Sequence, residues 1–181
     1  MSARPILTYD DYIALLEDGA RYELHEGELI AMPATTPRHQ AVIVNLFIAV
    51  AQHVWGHGLG DVCPAPIDVI LSCITVVQPD LVYVDTAGPG ILTDGGIEGT
   101  PTLVVEVLSP STEARDRCVK QALYARYGVP FYWIVDPAAR TIQALRLSGE
   151  SYEAVARLDE TTPAALPPLA GLMLDPAAVW R

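Results

Sequence analysis

Two acidic residues of this chain lie in apolar surroundings, where a carboxylate requires a partner. Glu106 lies inside the apolar run 103–108, which is typical of a buried strand, and Asp80 follows Pro79 at the start of another apolar segment. An unpaired carboxylate buried there costs several kcal/mol, so Glu106 must be paired, protonated or bound to a metal. The alternatives are a core ion pair between Glu106 and an arginine, and a turn role for Asp80 at a strand start.

The same two carboxylates could hold one divalent cation. Adjacent strands lie about 4.8 Å apart, so Asp80 and Glu106 can converge if their strands pair. Two hard oxygen ligands, completed by waters and a substrate phosphate, are the usual environment of Mg²⁺. The sequence thus permits a Mg²⁺ (or Mn²⁺) site at these positions.

Lys120 is the single lysine among eleven cationic side chains, and the other ten are arginines. Lysine carries a compact charge whose pKa moves readily on burial, which arginine does not. A helix over this region places Asp116 and Lys120 on one face. The neighbouring apolar stripe is expected to pack on the sheet and contains Val119, Ala122, Leu123 and Tyr127. Lys120 could then reach Glu106; the alternatives are a surface charge and a helical ion pair with Asp116.

The elements that must position these residues follow from hydrophobic periodicity and turn residues. Helices are predicted at 8–18, with Thr8 as cap and Gly19 as end, at 38–54, and at 109–127. Strands are predicted at 67–71, 75–84, 103–108, 131–135, 141–147 and 152–158. A hairpin is predicted at 21–32 and a glycine-rich loop at 86–100. This order is typical of an α/β (α+β) domain with a mixed β-sheet flanked by helices.

Length and composition indicate one soluble, folded domain over 1–181, in which 161–181 form a proline-rich C-terminal tail without regular structure. The cysteines at 63, 73 and 118 lack metal-type spacing, so we expect a reducing, cytoplasmic setting. The N-terminus does not resemble a signal peptide, and no apolar stretch reaches the roughly 20 residues that span a bilayer. We therefore expect no membrane association.

The net charge of −11 argues against broad electrostatic attraction to nucleic acid, whose binding depends on phosphate contacts from lysine and arginine. A local basic surface remains open, because Arg115, Arg117, Lys120 and Arg126 lie close together in the sequence. Clustered carboxylates could also hold a cation that neutralises phosphate locally.

Several motifs resemble known nucleases. Pro79-Asp80 followed by Glu106 and a lysine resembles the PD-(D/E)XK signature, and longer strings resemble the Uma2 family, also called DUF820, of restriction-endonuclease-like proteins. Those strings are Val-Glu-Val-Leu-Ser-Pro-Ser-Thr, Arg-Asp-Arg, Tyr-Ala-Arg-Tyr-Gly-Val-Pro and Tyr-Trp-Ile-Val-Asp-Pro, with Tyr-Glu-Leu and Pro-Arg-His-Gln nearer the start. The resemblance implies a restriction-endonuclease-like fold and metal-dependent cleavage of phosphodiester bonds, with DNA as the partner. By it, Asp80 and Glu106 are metal ligands and Lys120 is the catalytic cation.

One position departs from the general nuclease pattern. The lysine normally lies two residues after the acid, where this chain has Leu108, so Lys120 must supply the ammonium from the following helix. The backbone carbonyl of Val107 is a further candidate metal ligand, and Asp116 is an accessory candidate.

Two residues nearer the start are also accessory candidates. Glu23 could add a carboxylate, or be a surface residue of the hairpin. His39 could contact phosphate at a helix N-terminus, or be a capping or solvent-facing residue.

Two other functions remain open at this stage. One is a non-catalytic binding or assembly module that keeps the nuclease scaffold, and the other is a hydrolase of a small phosphate ester. We also expect a homodimer, formed through the proline-rich tail and exposed strand edges, because cutting both DNA strands often uses two-fold symmetry.

Overall fold

Two six-stranded mixed sheets dominate the computed structural model, which describes residues 5–15, 20–110, 113 and 115–181. The strands of the first sheet are β1 (Tyr22–His25), β2 (Glu28–Ala31), β4 (Val69–Ser72), β5 (Thr75–Val77), β7 (Ile91–Thr93) and β8 (Gly96–Glu98), in the order β2-β1-β5-β4-β8-β7. Those of the second are β3 (Gly60–Pro64), β6 (Leu81–Asp85), β9 (Leu103–Val107), β10 (Phe131–Asp136), β11 (Thr141–Ser148) and β12 (Ser151–Leu158), in the order β12-β11-β10-β9-β6-β3. The predicted mixed sheet is thus confirmed.

The longest helix, α2 (Pro37–Gly56), packs on one face of the second sheet. It begins where the Thr36 hydroxyl accepts a hydrogen bond from the backbone N–H of His39, with Pro37 in the first turn, where no N–H is required. Its inward residues recur at helical spacing and join the main core: Val42, Ile43, Leu46, Val50, Ala51 and Val54. The predicted helix at 38–54 is confirmed with slightly wider bounds.

Strand β9 is covered on both faces, as its continuous apolar sequence indicates. All five of its residues are buried. Val105 and Val107 face the core that contains α2, whereas Val104 faces the opposite core, which contains α3 (Gln121–Arg126). Because side chains alternate along a strand, Glu106 points to the α3 side together with Val104.

The predicted strand at 75–84 is wrong as a single element. It divides into β5 and β6, which belong to different sheets. Pro79 has no N–H for a ladder, and the backbone N–H of Gln78 donates to the side chain of Glu23 instead of to a strand. The chain crosses between the two sheets here, and Asp80 lies at the crossing.

The predicted loop at 86–100 contains a β-hairpin that extends the first sheet. Strands β7 and β8 pair with Thr93 opposite Gly96, so Asp94-Gly95 forms a two-residue turn. Asp-Gly is a strong hairpin signal that the glycine content of the segment concealed. The hairpin predicted at 21–32 is confirmed, and Glu26 and Gly27 both adopt positive φ at its turn. Strand β3 had not been predicted.

The helix predicted at 109–127 is present in a different form. Residues Arg115–Lys120 form a π-helical turn that continues into α3. Of its predicted start at 109–112, positions 109 and 110 are not helical, and positions 111 and 112 lie outside the described residues. The first helix, α1, covers Tyr9–Leu15, and its predicted end at Gly19 also lies outside them.

The C-terminal segment has more structure than its prolines suggested. It contains the strands β13 (Ala164–Ala165) and β14 (Met173–Leu174) and the short helix α4 (Pro176–Val179). Trp133 donates its indole N–H to the Pro167 carbonyl at 2.6 Å. Four side chains are buried in the α2 core: Leu166, Leu169, Leu174 and Val179. Among the described residues, none of the helices has the length and apolar character needed to cross a membrane.

Candidate active site

Lys120 lies between two buried carboxylates. Its ammonium Nζ is 2.8 Å from Glu106 Oε1 and 2.8 Å from Glu23 Oε1, and its side chain is 1% exposed. The surface-charge alternative for Lys120 is therefore wrong. So is the arginine alternative for Glu106, whose ion-pair partner is this lysine. The Lys120 ammonium thus pairs across the fold with Glu106 and Glu23, and the charge of Asp116 also raises its pKa.

The buried face of this segment differs from the predicted apolar stripe. Val119 and Ala122, expected on the packed side, are both exposed. The buried residues are Asp116, Lys120, Leu123 and Tyr124, which recur at intervals of three and four and so share one helical face. The predicted apolar stripe is thus wrong at two positions. π turns inserted in helices often occur at functional sites.

Tyr124 is a site residue that sequence reasoning missed. Its hydroxyl donates a 2.6 Å hydrogen bond to Glu106 Oε1, and its side chain is fully buried. Tyr124 lies one α-helical turn after Lys120, so both reach the same carboxylate. That spacing was the available signal, but it becomes informative only once Lys120 is known to face inward.

Glu23 on β1 is fully buried, so its alternative as a hairpin surface residue is wrong. Its Oε1 also accepts the backbone N–H of Gln78 at 2.7 Å, and its Oε2 lies 2.9 Å from His25 Nε2. These bonds join the first sheet to Lys120. The described contacts of Glu23 therefore hold the ammonium in place.

His39 is a buried residue that contacts Asp80. Its Nε2 lies 2.8 Å from the Val107 carbonyl oxygen and 3.2 Å from Asp80 Oδ2. Both neighbours are acceptors, so Nε2 carries the proton. Burial lowers the pKa of His39, but the hydrogen bond and charge of Asp80 outweigh it and raise that pKa. The alternatives of a solvent-facing or capping side chain are wrong, since Thr36 supplies the cap.

Asp80 and Glu106 are joined through Val107. Asp80 Oδ2 accepts the backbone N–H of Val107 at 2.8 Å, although β6 begins only at Leu81. The strands β6 and β9 pair, with Leu81 opposite Val105. The backbone of Asp80 therefore lies just before a strand, as the turn alternative expected. Its side chain, however, accepts a hydrogen bond from β9.

Asp116 is 2% exposed on the π turn, and its backbone carbonyl accepts the Tyr132 hydroxyl at 3.1 Å. A cavity of about 170 Å³ brings the predicted residues together, because Asp116 lines it with His39, Asp80, Glu106, Val107 and Lys120. Glu23 is not among the lining residues and acts from behind Lys120.

The pKa values of the two buried glutamates of this group are shifted in opposite directions. Burial raises the pKa of Glu106 well above its usual range, Lys120 lowers it in part, and Asp80 and further carboxylates raise it again. Burial also raises the pKa of Glu23, but Lys120 and His25 outweigh it and lower that pKa to about 2.

The donors facing the cavity fit a hard divalent cation. One oxygen of each acid is engaged, Oδ2 of Asp80 and Oε1 of Glu106, which leaves Asp80 Oδ1 and Glu106 Oε2 to serve as ligands. Among the described residues, no group of three or more His, Cys, Asp or Glu side chains could hold a metal. Two carboxylates suffice for Mg²⁺ when waters and substrate phosphate complete the shell. The Val107 carbonyl already accepts from His39, so it is the weaker candidate ligand.

The predicted local basic surface is largely neutralised. Lys120 is buried between acids, Arg126 pairs with Glu26, and Arg117 pairs with Glu113 and Asp136. Arg115 instead contacts the sulfur of Met32, a residue that lines the cavity, and Arg21 lines the cavity directly. Of the described cations, Arg21 and the buried Lys120 therefore line the cavity, and Arg115 contacts one of its lining residues.

The chain shares its mixed α+β fold with a solved structure. A crystal structure from Anabaena variabilis ATCC 29413, described as a "putative nuclease belonging to DUF820", superposes with a TM-score of 0.77. The match covers 96% of this chain and 97% of that chain at 18% sequence identity. This comparison establishes the shared fold.

The family follows from the sequence comparison. The model of the Uma2 family, described as "Putative restriction endonuclease", matches residues 9–177, and this chain belongs to that family. The uncharacterized protein slr1290 of Synechocystis sp. (strain ATCC 27184 / PCC 6803 / Kazusa) is 31% identical over 125 residues, or 67% of this chain. The chain spans 63% of the length of that relative.

Proposed function

We propose that this protein is a divalent-metal-dependent endonuclease that hydrolyses phosphodiester bonds in DNA, with Mg²⁺ or Mn²⁺ as cofactor. The observation that carries the proposal is the placement of the Lys120 ammonium 2.8 Å from Glu106, in a cavity that Asp80 also lines. Two acids and a lysine at one cavity are the groups that metal-assisted phosphodiester hydrolysis requires. Family membership agrees with this chemistry.

A divalent cation held by Asp80 and Glu106 would polarise a phosphoryl oxygen and lower the pKa of a water. Lys120 has three N–H donors, of which two are directed at Glu106 and Glu23. The third can donate to a phosphate oxygen or orient the attacking water, because Lys120 lines the cavity. Stabilising charge that develops in the transition state is the role we assign to it.

Other side chains position these groups. Tyr124 fixes the Glu106 carboxylate, His39 and the Val107 N–H fix Asp80, and Glu23 fixes Lys120. We assign these residues positioning roles because their contacts are with the acids and the lysine. Such contacts hold reacting groups in a productive geometry before substrate arrives.

The test is nicking of supercoiled plasmid with Mg²⁺ or Mn²⁺, comparing the wild type with Glu106→Ala. The matched control is Glu153→Ala, because Glu153 is exposed on β12 and lines neither this cavity nor its neighbour. We expect nicking by the wild type and the control, and none by Glu106→Ala or in EDTA. Equal nicking by all three proteins would identify a contaminating nuclease and refute the proposal.

A non-catalytic binding module is the second candidate, favoured by the net charge of −11. It predicts no divalent-metal binding that depends on Asp80 and Glu106. Isothermal titration calorimetry of the wild type and Asp80→Asn with Mg²⁺ separates the two functions.

A hydrolase of a small phosphate ester is the third, favoured by the modest 170 Å³ cavity. Comparing bis(p-nitrophenyl) phosphate with plasmid DNA at equal phosphodiester concentration tests it. Faster turnover of the small diester would favour that function over DNA cleavage.

A further inference from the structure

A second cavity of about 260 Å³ lies beside the active-site cavity. The two cavities share four lining residues, Thr36, His39, Ser109 and Pro110, so they meet across the start of α2 and the end of β9. Neither reaches the roughly 300 Å³ at the lower end of ligand pockets, whereas the two together do. A substrate that fills this site would therefore occupy both cavities.

The walls of the second cavity differ in character from those of the first. Its apolar wall is formed by Leu108, Pro110, Pro137 and Ala138. The active-site cavity instead exposes acids and a lysine to its contents. One cavity thus suits a charged group with a cation, and its neighbour suits a flat apolar group.

Asp136 and Arg38 are two charged groups at the polar rim of the second cavity. The Asp136 carboxylate accepts the N–H groups of Ala138 and Ala139 and pairs with Arg117. Arg38 donates one N–H of its guanidinium to the Pro137 carbonyl, which holds the group at the rim. Its remaining N–H donors match the acceptor atoms on a base edge.

We propose that this second cavity binds the nucleobase of the nucleotide adjacent to the scissile phosphate. The inference rests on the proposed nuclease function and names a subsite of that same site. The base packs against the proline, alanine and leucine side chains, with its polar edge toward Arg38. Its own phosphate lies at Asp80, Glu106 and Lys120.

This subsite has a consequence for the substrate. A base inside a cavity cannot remain paired and stacked in a duplex, so the nucleotide must be unpaired or flipped out. Flipping costs least where the base is mismatched or already single-stranded. The preferred substrate is therefore a DNA strand with an unpaired nucleotide at the cleavage position.

Binding can be measured without turnover by fluorescence anisotropy, with Ca²⁺ in place of Mg²⁺. The probes are a labelled single-stranded dodecamer and a fully abasic dodecamer of equal length and phosphate charge. The variants are Ala138→Trp, which fills the second cavity, and Ala139→Trp, the matched control on the next residue, which does not line it. Both alanines are exposed, so both variants are expected to fold.

We expect the wild type and Ala139→Trp to bind the base-bearing strand about tenfold more tightly than the abasic strand, as contacts to a single base allow. Ala138→Trp should bind both strands with nearly equal affinity. Perfect duplex should bind the wild type more weakly than single strand or a mismatched duplex. Equal binding of base-bearing and abasic strands by the wild type would overturn the proposal, as would identical behaviour of the two tryptophan variants.

The outcomes also separate this proposal from the nuclease proposal. Base-dependent binding that Ala138→Trp removes, without cleavage in Mg²⁺, would keep the base site and refute the nuclease. Cleavage by the wild type that is the same for Ala138→Trp, with no base-dependent binding, would keep the nuclease and refute the base site. If the second cavity binds a peptide side chain instead, the wild type would bind base-bearing and abasic strands equally, which would refute the base site.

Discussion

The ammonium of Lys120 lies 2.8 Å from the carboxylate of Glu106, although the two residues are 14 positions apart in the chain. The nearer position, Leu108, is a buried apolar residue in the same core as Leu123 and Tyr124. Lys120 therefore approaches Glu106 from the helix that packs on the sheet rather than from a position on the same strand. The family resemblance implied this arrangement, with the ammonium supplied by the element that follows β9.

Loss of the Lys120 ammonium should destabilise the protein as well as inactivate it. Without the ammonium, Glu23 and Glu106 would be two buried carboxylates without their shared partner, and breaking a buried ion pair costs roughly 3–5 kcal/mol. We expect Lys120→Ala to lower the free energy of unfolding in urea by about this amount. Arg146→Ala, at an exposed position of β11, serves as control and should change it little. A Lys120→Ala protein as stable as the control would contradict the ion-pair account.

Removing the hydroxyl of Tyr124 should move the pH dependence of cleavage. The 2.6 Å hydrogen bond favours the ionised form of Glu106, so Tyr124→Phe raises the pKa of that carboxylate further. The acid limb of the activity profile is then expected to move to higher pH, because the carboxylate is the form that binds metal. Tyr152→Phe is the control, since its hydroxyl bonds the Val129 carbonyl. An unchanged acid limb in Tyr124→Phe would assign Tyr124 a purely structural role.

Neutralising Glu106 should stabilise the metal-free protein at neutral pH. The folded-state pKa of Glu106 is raised, so its favourable contribution is present below the unfolded pKa and is lost as pH rises through the folded pKa. At neutral pH the fold therefore carries the cost of burying this acid, and Glu106→Gln removes that cost. We expect a higher Tm for this variant than for the wild type in EDTA at pH 8, and a difference that shrinks on acidification.

The same stability measurement reports on the cation. Mg²⁺ that binds only the folded state should raise the Tm of the wild type in proportion to its occupancy. Glu106→Gln and Asp80→Asn should lose most of this rise, and Glu113→Gln should keep it. A rise of equal size in all four proteins would place the bound Mg²⁺ elsewhere.

We expect a homodimer, and the structure suggests where to test it. The leucines of the C-terminal segment are buried in the chain's own core, so they are not available to a partner in this conformation. The outward face of α2 exposes Val44, Ile48 and Trp55, and positions 40–56 carry no Asp, Glu, Lys or Arg. In a chain of net charge −11, such a face offers the least repulsion between two copies.

Light scattering of the wild type, Ile48→Glu and Ile91→Glu tests this expectation. Ile91 is 64% exposed on the edge strand β7 and represents the strand-edge interface expected from the sequence. Dissociation by Ile48→Glu alone would place the interface on α2. A monomeric wild type at high concentration would refute the dimer.

Local patterns predicted much of the fold correctly. The apolar run around Glu106 indicated a strand covered on both faces, and the spacing from Val42 to Val54 indicated α2. These two predictions succeed because the spacing of apolar residues along one strand or helix reports which of its faces is buried. The glycine content of 86–100 indicated a loop where an Asp-Gly turn closes a hairpin, and the sequence patterns did not indicate the strands β3, β13 and β14.

The sequence by itself determined which residue types stand where a nuclease needs them: Asp80 after a proline, Glu106 inside an apolar strand, and a single lysine in the following helix. Only the tertiary structure decided that Glu23 and Tyr124 join them, because these contacts cross from one sheet or helix to another and leave no local periodicity. It also decided the direction of Lys120, since the packing of the helix on the sheet buries the face that carries Asp116, Lys120 and Tyr124. The position of the ammonium therefore depends on how the layers pack, which no short stretch of sequence specifies.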